Sequence, residues 1–267
     1  MYDGPKSKLN PLPQSELDRE GTSTSIGSFL KNVAMRIRTG GIPASARYGA
    51  YRLKNAFQLR FSGISPGLAE AGEIVSLNQL GLRPDCSRHE PTQLFRFAGF
   101  RTAMCRYVKL SRNDVFLDYG SGLGAAMLMA GTLPFRRIIG VEISKELNGR
   151  ATDIINRYRQ RLACKEFEFV TSEATQYDVP DDATVIYFFN PFRGDVMAGV
   201  FAKLDESLTR HPRALRVVFN HPIEAEKMSA RFKWLCKCGD IKDPWSEEPW
   251  IDVYTCETTR LKSSPRS

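Results

Sequence analysis

One short run concentrates the residues of this chain that are suited to chemistry: Val115-Phe-Leu-Asp118-Tyr-Gly120-Ser121-Gly122-Leu-Gly124. An apolar strand leads into a turn with glycine at alternate positions, and Ala125-Ala126-Met127-Leu128-Met129-Ala130 then opens a helix. Such glycines let the backbone approach a ligand closely and present N–H groups at a helix N-terminus, which suits a carboxylate or a phosphate. The loop alone has two readings. Gly120-x-Gly122-x-x-Ala125 fits the dinucleotide pattern, and Glu142, 20 residues past Gly122, stands where a ribose-binding acid belongs, so an NAD-dependent oxidoreductase is one alternative. Asp118 argues against it. A carboxylate at the mouth of the strand repels a pyrophosphate but pairs with the ammonium of an amino-acid ligand that carries a sulfonium.

Three further segments follow in order. Ile139-Gly140-Val141-Glu142-Ile143-Ser144 ends in an acid, Phe169-Val-Thr-Ser172-Glu173-Ala174 contains another, and Val185-Ile-Tyr-Phe-Phe189-Asn190-Pro191-Phe192 closes with an amide, a proline and a ring. Together with Asp118-x-Gly120-x-Gly122-x-Gly124 they resemble the ordered motifs of class I S-adenosylmethionine-dependent methyltransferases. That resemblance implies that Asp118, Gly120, Ser121, Gly122 and Gly124 surround the methionine part of S-adenosylmethionine. It implies that Glu142 accepts from the ribose hydroxyls, with Ile143 beside it, and that Glu173 and Ala174 lie at the adenine. Glu173 stands where the family more often has Asp. Asn190-Pro191-Phe192 is similar to the [Asn/Asp]-Pro-Pro-[aromatic] motif of amine-directed relatives but has one proline fewer. Asn190 and Phe192 are thus expected to face the acceptor, with an N-acceptor, an amine or a protein lysine, preferred over an O-acceptor.

Upstream, Gly72 to Pro84 and His89-Glu90-Pro91-Thr92 resemble the approach to the first strand in a bacterial group of methyltransferases of undefined substrate. Pro91-Thr92 is also similar to a Pro-Thr step near the cofactor in some protein-lysine methyltransferases. By that likeness Thr92 donates its hydroxyl to the methionine carboxylate and Glu90 faces the acceptor, although Thr92 equally suits a helix N-cap. Asn220-His221-Pro222 ends another apolar run, and His221 is the histidine expected near the cleft as a proton acceptor. His211 is expected at the surface. Trp245 is placed at the border of the acceptor cleft, and Trp234 and Trp250 in the core.

The elements that must position these residues follow from periodicity. Apolar runs at 114–119, 137–142, 166–171, 184–189 and 215–220 alternate with helical stretches, which predicts parallel strands with right-handed crossovers. Runs at 232–238 and 250–256 have no convincing helix between them and are expected to form an antiparallel hairpin. The predicted fold is α/β, a doubly wound, mostly parallel seven-stranded sheet with a terminal antiparallel hairpin and a helical N-terminal extension. The expected organisation is a disordered tail over 1–25, a basic helical extension over 26–70, a helical cap over 71–110, a Rossmann-like methyltransferase domain over 111–257 and a tail over 258–267. Within the extension, two short basic helices broken at Gly40-Gly41-Ile42-Pro43 are expected, then a loop over 62–70, and a longer helix over 92–108.

Composition narrows the class. The 267 residues carry a net charge of +8, and 42% are hydrophobic, ordinary for a globular chain. No apolar run approaches the ~20 residues needed to cross a bilayer, and residues 1–25 lack the apolar core of a secretory signal, so a cytoplasmic protein, peripheral to a membrane at most, is expected. None of the six cysteines forms a C-x-x-C pair; Cys236 and Cys238 share a predicted strand face, but with three histidines in the chain no metal site is expected. Between Glu20 and Glu70 there is no acidic residue, whereas Lys31, Arg36, Arg38, Arg47, Arg52, Lys54 and Arg60 all lie there. Residues 26–60 are expected in the first place to pack as an amphipathic pair on the main domain, their aromatic residues Tyr48, Tyr51, Phe57 and Phe61 included. Otherwise they are expected to meet an anionic surface, whether acidic lipid at a membrane, nucleic acid or an acidic protein; a non-catalytic basic adaptor is the third functional class.

Overall fold

The computed structural model describes residues 26–72, 93–244 and 248–256. Seven strands form one sheet in the order β3-β2-β1-β4-β5-β7-β6. They are β1 (Val115–Tyr119), β2 (Arg137–Glu142), β3 (Phe167–Thr171), β4 (Val185–Phe189), β5 (Leu215–Asn220), β6 (Cys236–Lys242) and β7 (Pro249–Cys256). The first five pair in parallel, and β7 enters antiparallel between β5 and β6. Helices α1 (Ile26–Ser62), α2 (Ser65–Ala71) and α3 (Gln93–Ala103) precede the sheet, and α4 (Ala125–Gly131), α5 (Lys145–Tyr158), α6 (Gly194–Arg210) and α7 (Ala225–Arg231) are interleaved with it.

Both faces of the central strands are apolar because helices cover both. Along β1, Phe116 points to the layer holding Phe97, Phe100, Met104, Met127 and Leu128, whereas Leu117 and Tyr119 point to the layer holding Met197, Phe201 and Leu204. By the period of two in a strand, Asp118 shares the face of Phe116. In register it lies between Gly140 of β2 and Tyr187 of β4. The covering helices form for local reasons. The Ser144 side chain caps α5 by accepting from the Leu147 N–H (3.3 Å), and Leu147, Ala151, Ile154 and Ile155 supply its buried stripe. In α6 the stripe is Met197, Val200, Phe201, Leu204 and Leu208.

Several expectations need correction. The two basic helices are one, Ile26–Ser62, with Pro43 inside it. Ile42 and Pro43 are exposed there, so water can serve the backbone group that the proline leaves unpaired, and glycine, although entropically costly in a helix, has no steric bar to helical angles. The loop expected at 62–70 contains α2, started by Pro66 in its first turn. The helix expected over 92–108 ends in a π-helical turn, Met104–Val108, closed by Lys109 in the left-handed region. The sixth strand begins four residues later than expected, because Phe232 and Trp234 turn inward against Phe201 before pairing starts. A bulge between Lys237 and Gly239 then removes the simple alternation expected of Cys236 and Cys238.

Candidate functional site

The loop after β1 is held by the backbone of β2. Gly120 and Ser121 N–H groups both donate to the Val141 carbonyl (2.8 and 3.1 Å), and Gly124 N–H returns to the Ser121 carbonyl (2.8 Å). Gly120, Gly122 and Gly124 all have positive φ (69, 51 and 80°), a region that L side chains rarely enter. A Cβ on Gly120 would lie 2.5 Å from the Pro191 Cβ, so the glycine loop and the segment after β4 are in contact, two motifs about 70 residues apart in the chain. Gly140 is equally enforced: a Cβ there would meet Met127 Sδ at 2.3 Å and Ser121 Oγ at 2.8 Å.

Asp118 is buried at the end of β1, and its carboxyl is pushed well above the usual carboxylate range, first by burial and then by the charge of Glu142. Glu142 ends β2 and is also buried. One of its oxygens accepts from Gly122 N–H (2.9 Å) and the other from Ser144 N–H (3.0 Å), which ties the glycine loop to the start of α5. Beside it Ile143 is exposed, an apolar side chain at the strand's mouth. Glu173 follows β3; its carboxylate accepts from Thr175 N–H (3.1 Å) and Thr175 Oγ1, and Ala174 packs half-buried against the apolar layer of α6. Ser172 N–H donates to the Glu142 carbonyl (3.1 Å), so the second and third motifs also adjoin.

Asn190 and His221 follow β4 and β5, neighbouring parallel strands. Both hold left-handed backbone (φ 44 and 63°), a conformation in which Asn and His are enriched among non-glycine residues. The Asn190 Oδ1 accepts from Arg193 Nε (3.4 Å). Phe192 is half-buried and meets Tyr119 and Phe188 edge-on, at 6.4 and 6.1 Å between ring centres. The His221 N–H donates to the Trp250 carbonyl (2.8 Å), and Trp250 in turn packs its ring against Tyr51 of α1. Every expected site residue among those described thus stands at one edge, the C-terminal ends of β1 to β5, where open α/β sheets collect ligands.

Residues 97–196 match the model of a family described as histone methylation protein DOT1. Solved structures similar to this chain include an RNA methyltransferase from Salinibacter ruber in complex with S-adenosyl-L-homocysteine (20% identity, 61% of this chain and 92% of that one, TM-score 0.41). Others are an S-adenosylmethionine-dependent methyltransferase from Clostridium acetobutylicum (11%, 60% and 89%, 0.43) and ribosomal protein L11 methylase from Lactobacillus delbrueckii subsp. bulgaricus (12%, 64% and 80%, 0.42). No curated protein matches the chain significantly. The sheet decides between the two readings of the glycine loop. A dinucleotide-binding sheet runs 3-2-1-4-5-6, whereas here an antiparallel β7 is inserted between β5 and β6, and a buried carboxylate leads the loop. This is the seven-stranded sheet expected of the class I S-adenosylmethionine-dependent methyltransferase fold.

The residues at this edge fit S-adenosylmethionine. Ser121 Oγ is buried without a hydrogen-bond partner, as is Asn148 Oδ1 in α5. The Glu142 carboxylate still has lone pairs beyond the two that its backbone donors use. Thr92, Glu90 and Trp245 lie outside the described residues. Among the others, His211 is exposed at the end of α6 and Trp234 is buried, as expected. The site also contains residues that pattern reasoning missed. Pro191 seats the glycine loop. Glu224, buried after β5, accepts from Gly194 N–H (3.3 Å) at the start of α6 and so holds the 190–193 turn from below. Asn220 donates to the Tyr187 hydroxyl (2.7 Å) beneath His221. Only a contact between strand ends reveals these roles. Among the described residues no three His, Cys, Asp or Glu side chains converge as for a metal, and no helix is long and apolar enough to cross a membrane.

Proposed function

We propose that this protein is an S-adenosylmethionine-dependent methyltransferase that transfers a methyl group to a nitrogen of a protein side chain, a lysine amine in the first instance. The observation that carries the reading is Asn190. Its carboxamide stands at the end of β4 in a left-handed conformation, beside the loop of the cofactor motif, with its oxygen already accepting from an N–H donor. A second support is the family whose model spans residues 97–196, described as a histone methylation protein.

In this reading Asp118 pairs with the ammonium of the methionine part, and Gly120, Ser121, Gly122 and Gly124 form its cradle. Glu142 takes the ribose hydroxyls, and Ile143, Glu173 and Ala174 flank the adenine. The unit that does this is the 111–257 domain, with 26–70 as its extension and 71–110 as its cap. When bound, S-adenosylmethionine supplies an electrophilic methyl carbon on a sulfonium. The chain's own residues align the acceptor and handle one proton. Asn190 Oδ1 accepts from the acceptor nitrogen and aims its lone pair. Phe192, braced on Tyr119 and Phe188, walls the acceptor from water. His221 would take the proton that the nitrogen sheds on becoming methylated.

The test is transfer of a radiolabelled methyl group to peptides bearing a single lysine, a single tyrosine or a single aspartate. Label on the lysine peptide alone, lost with Asn190→Ala while S-adenosylhomocysteine still binds, is the expected result. Label confined to the hydroxyl or carboxyl peptide would end the N-acceptor assignment.

A further inference from the structure

Helix α1 turns two different faces outward and inward. Asn55 and Leu59 are buried, and the Asn55 Oδ1 accepts from the Ala98 N–H (2.9 Å), which fixes this face against α3. The opposite face carries Leu53, Phe57 and Phe61 at a spacing of four, and Ile42, Ala46 and Ala50 continue it towards the N-terminus. Bulky apolar side chains on a monomer's surface normally stand singly. Here Ile42, Leu53, Phe57 and Phe61 are 72, 75, 64 and 72% exposed along one stripe, with the Phe57 and Phe61 rings in contact at 4.4 Å. At 1.5 Å rise per residue, Ile42 to Phe61 spans about 28 Å. Exposed Arg47, Lys54 and Arg60 border the stripe, in a segment with no acidic residue between Glu20 and Glu70.

We propose that this outward face of α1 lies flat on an anionic lipid surface, its apolar stripe below the headgroups and its basic borders among them. The pattern is that of an interfacial helix: an apolar face, cationic edges and too many charges to cross the bilayer. Charge decides against a second copy of the chain as occupant, because two acid-free cationic helices repel when laid face to face. A nucleic acid would engage Arg47, Lys54 and Arg60 but leave four large apolar side chains in water. The placement also has a consequence for the site. Tyr51 of the same helix packs on Trp250, whose carbonyl holds the His221 N–H, so the docked helix is joined to the edge of the sheet where the acceptor enters.

Sedimentation of the full-length protein with sucrose-loaded vesicles tests this, with phosphatidylcholine alone compared with phosphatidylcholine containing about 30% phosphatidylglycerol, on which each basic residue near the surface counts roughly fivefold. Binding to the anionic vesicles and not to the neutral ones is expected, falling steeply as salt is raised. Phe57→Ser with Phe61→Ser should weaken partition about 100-fold or more. Lys54→Gln with Arg60→Gln should weaken it about 25-fold. Calorimetric binding of S-adenosylhomocysteine should be unchanged in both pairs, since none of the four side chains touches the strand ends. Three results would overturn the proposal: no sedimentation with anionic vesicles at millimolar lipid, binding indifferent to both pairs of substitutions, or a dimer in equilibrium centrifugation that the Phe57 and Phe61 substitutions dissolve. Vesicle binding involves no methyl transfer, so it stands or falls separately from the acceptor assignment.

Discussion

Asp118→Asn should make this protein more stable and worse at holding its cofactor. The substitution is nearly isosteric, and it removes a carboxylate that is buried and faces the charge of Glu142. The sign of the pH dependence follows from its raised pKa. The folded state holds the Asp118 proton more tightly than the unfolded chain, so stability falls as pH rises from the ordinary carboxylate value to the raised one, and the full penalty is present above it. The amide carries no such penalty. At pH 8 the variant should gain about 1–2 kcal/mol, the range common when strain at a functional site is removed, and the gain should vanish on acidification towards pH ~4. On a domain of this size that corresponds to a rise in Tm of roughly 2–8 °C. Cofactor binding should move the other way. Opposite unit charges in contact at an effective dielectric near 20 attract by about 4 kcal/mol, and the polar amide recovers part of this. A net loss of about 2–3 kcal/mol weakens S-adenosylhomocysteine by roughly 30- to 150-fold. In the wild type, binding should release a proton, and affinity should rise with pH until Asp118 is ionised in the free protein. Urea titration from pH 4 to 8, with calorimetry in two buffers of different ionisation enthalpy, measures both effects. A variant that binds S-adenosylhomocysteine within threefold of wild type, or is less stable at pH 8, refutes the reasoning.

Two other substitutions separate binding from folding. Gly120→Ala forces a side chain into φ 69° and to 2.5 Å from Pro191, so calorimetry should detect no S-adenosylhomocysteine binding, with stability in urea lower by about 2–3 kcal/mol. Arg213 does the opposite. Its guanidinium, half-buried between α6 and β5, donates to the carbonyls of Ala183 (2.6 Å) and His211 (3.0 Å) and to Ser207 Oγ (3.0 Å). An ammonium cannot reproduce that fork, so Arg213→Lys should cost about 2 kcal/mol in urea denaturation and leave cofactor affinity unchanged.

How far the sequence could be read depended on whether a residue's role is local. Strands β1 to β5 were legible because Val115-Phe-Leu, Val185-Ile-Tyr-Phe and Leu215-Arg-Val-Val-Phe are short apolar runs closed by turn residues, and nothing distant competes with that signal. The glycine loop was legible because its demand for positive φ leaves a mark in residue type. The start of β6 was not, since Phe232 and Trp234 have strand propensity but find Phe201 as a partner. In α1, Gly40-Gly41-Ile42-Pro43 carries every local sign of a break, yet the helix continues to Ser62. By type alone Phe57 and Phe61 could belong to either face of the helix; the contact of Asn55 with Ala98 fixes which side faces the protein. Pro191 and Glu224 belong to the least legible class, because their work is done against residues 71 and 30 positions away, Gly120 and Gly194.

The backbone itself sets one edge of the sheet apart. Among the described residues the non-glycine positions with positive φ are Lys109, Asn190 and His221, and Lys109 has an ordinary reason, closing a helix. The other two end adjacent strands and have no helix to terminate. A left-handed non-glycine residue costs of order 1–3 kcal/mol and persists only when its surroundings over-determine it. At His221 the Trp250 carbonyl supplies that constraint, and at Asn190 Pro191 does so by packing under Gly120. The three positive-φ glycines of the first loop stand at the same edge, so the backbone departs from the common regions where β1, β4 and β5 end together. Left-handed residues gathered on adjoining strand ends, with a buried carboxylate held above its normal pKa among them, are the features on which the proposed cofactor site rests. The ligand's charge would relieve Asp118, and the bent turns already present their side chains and N–H groups outward. A sheet built for stability alone would have neither Asp118 in its interior nor left-handed residues at those strand ends.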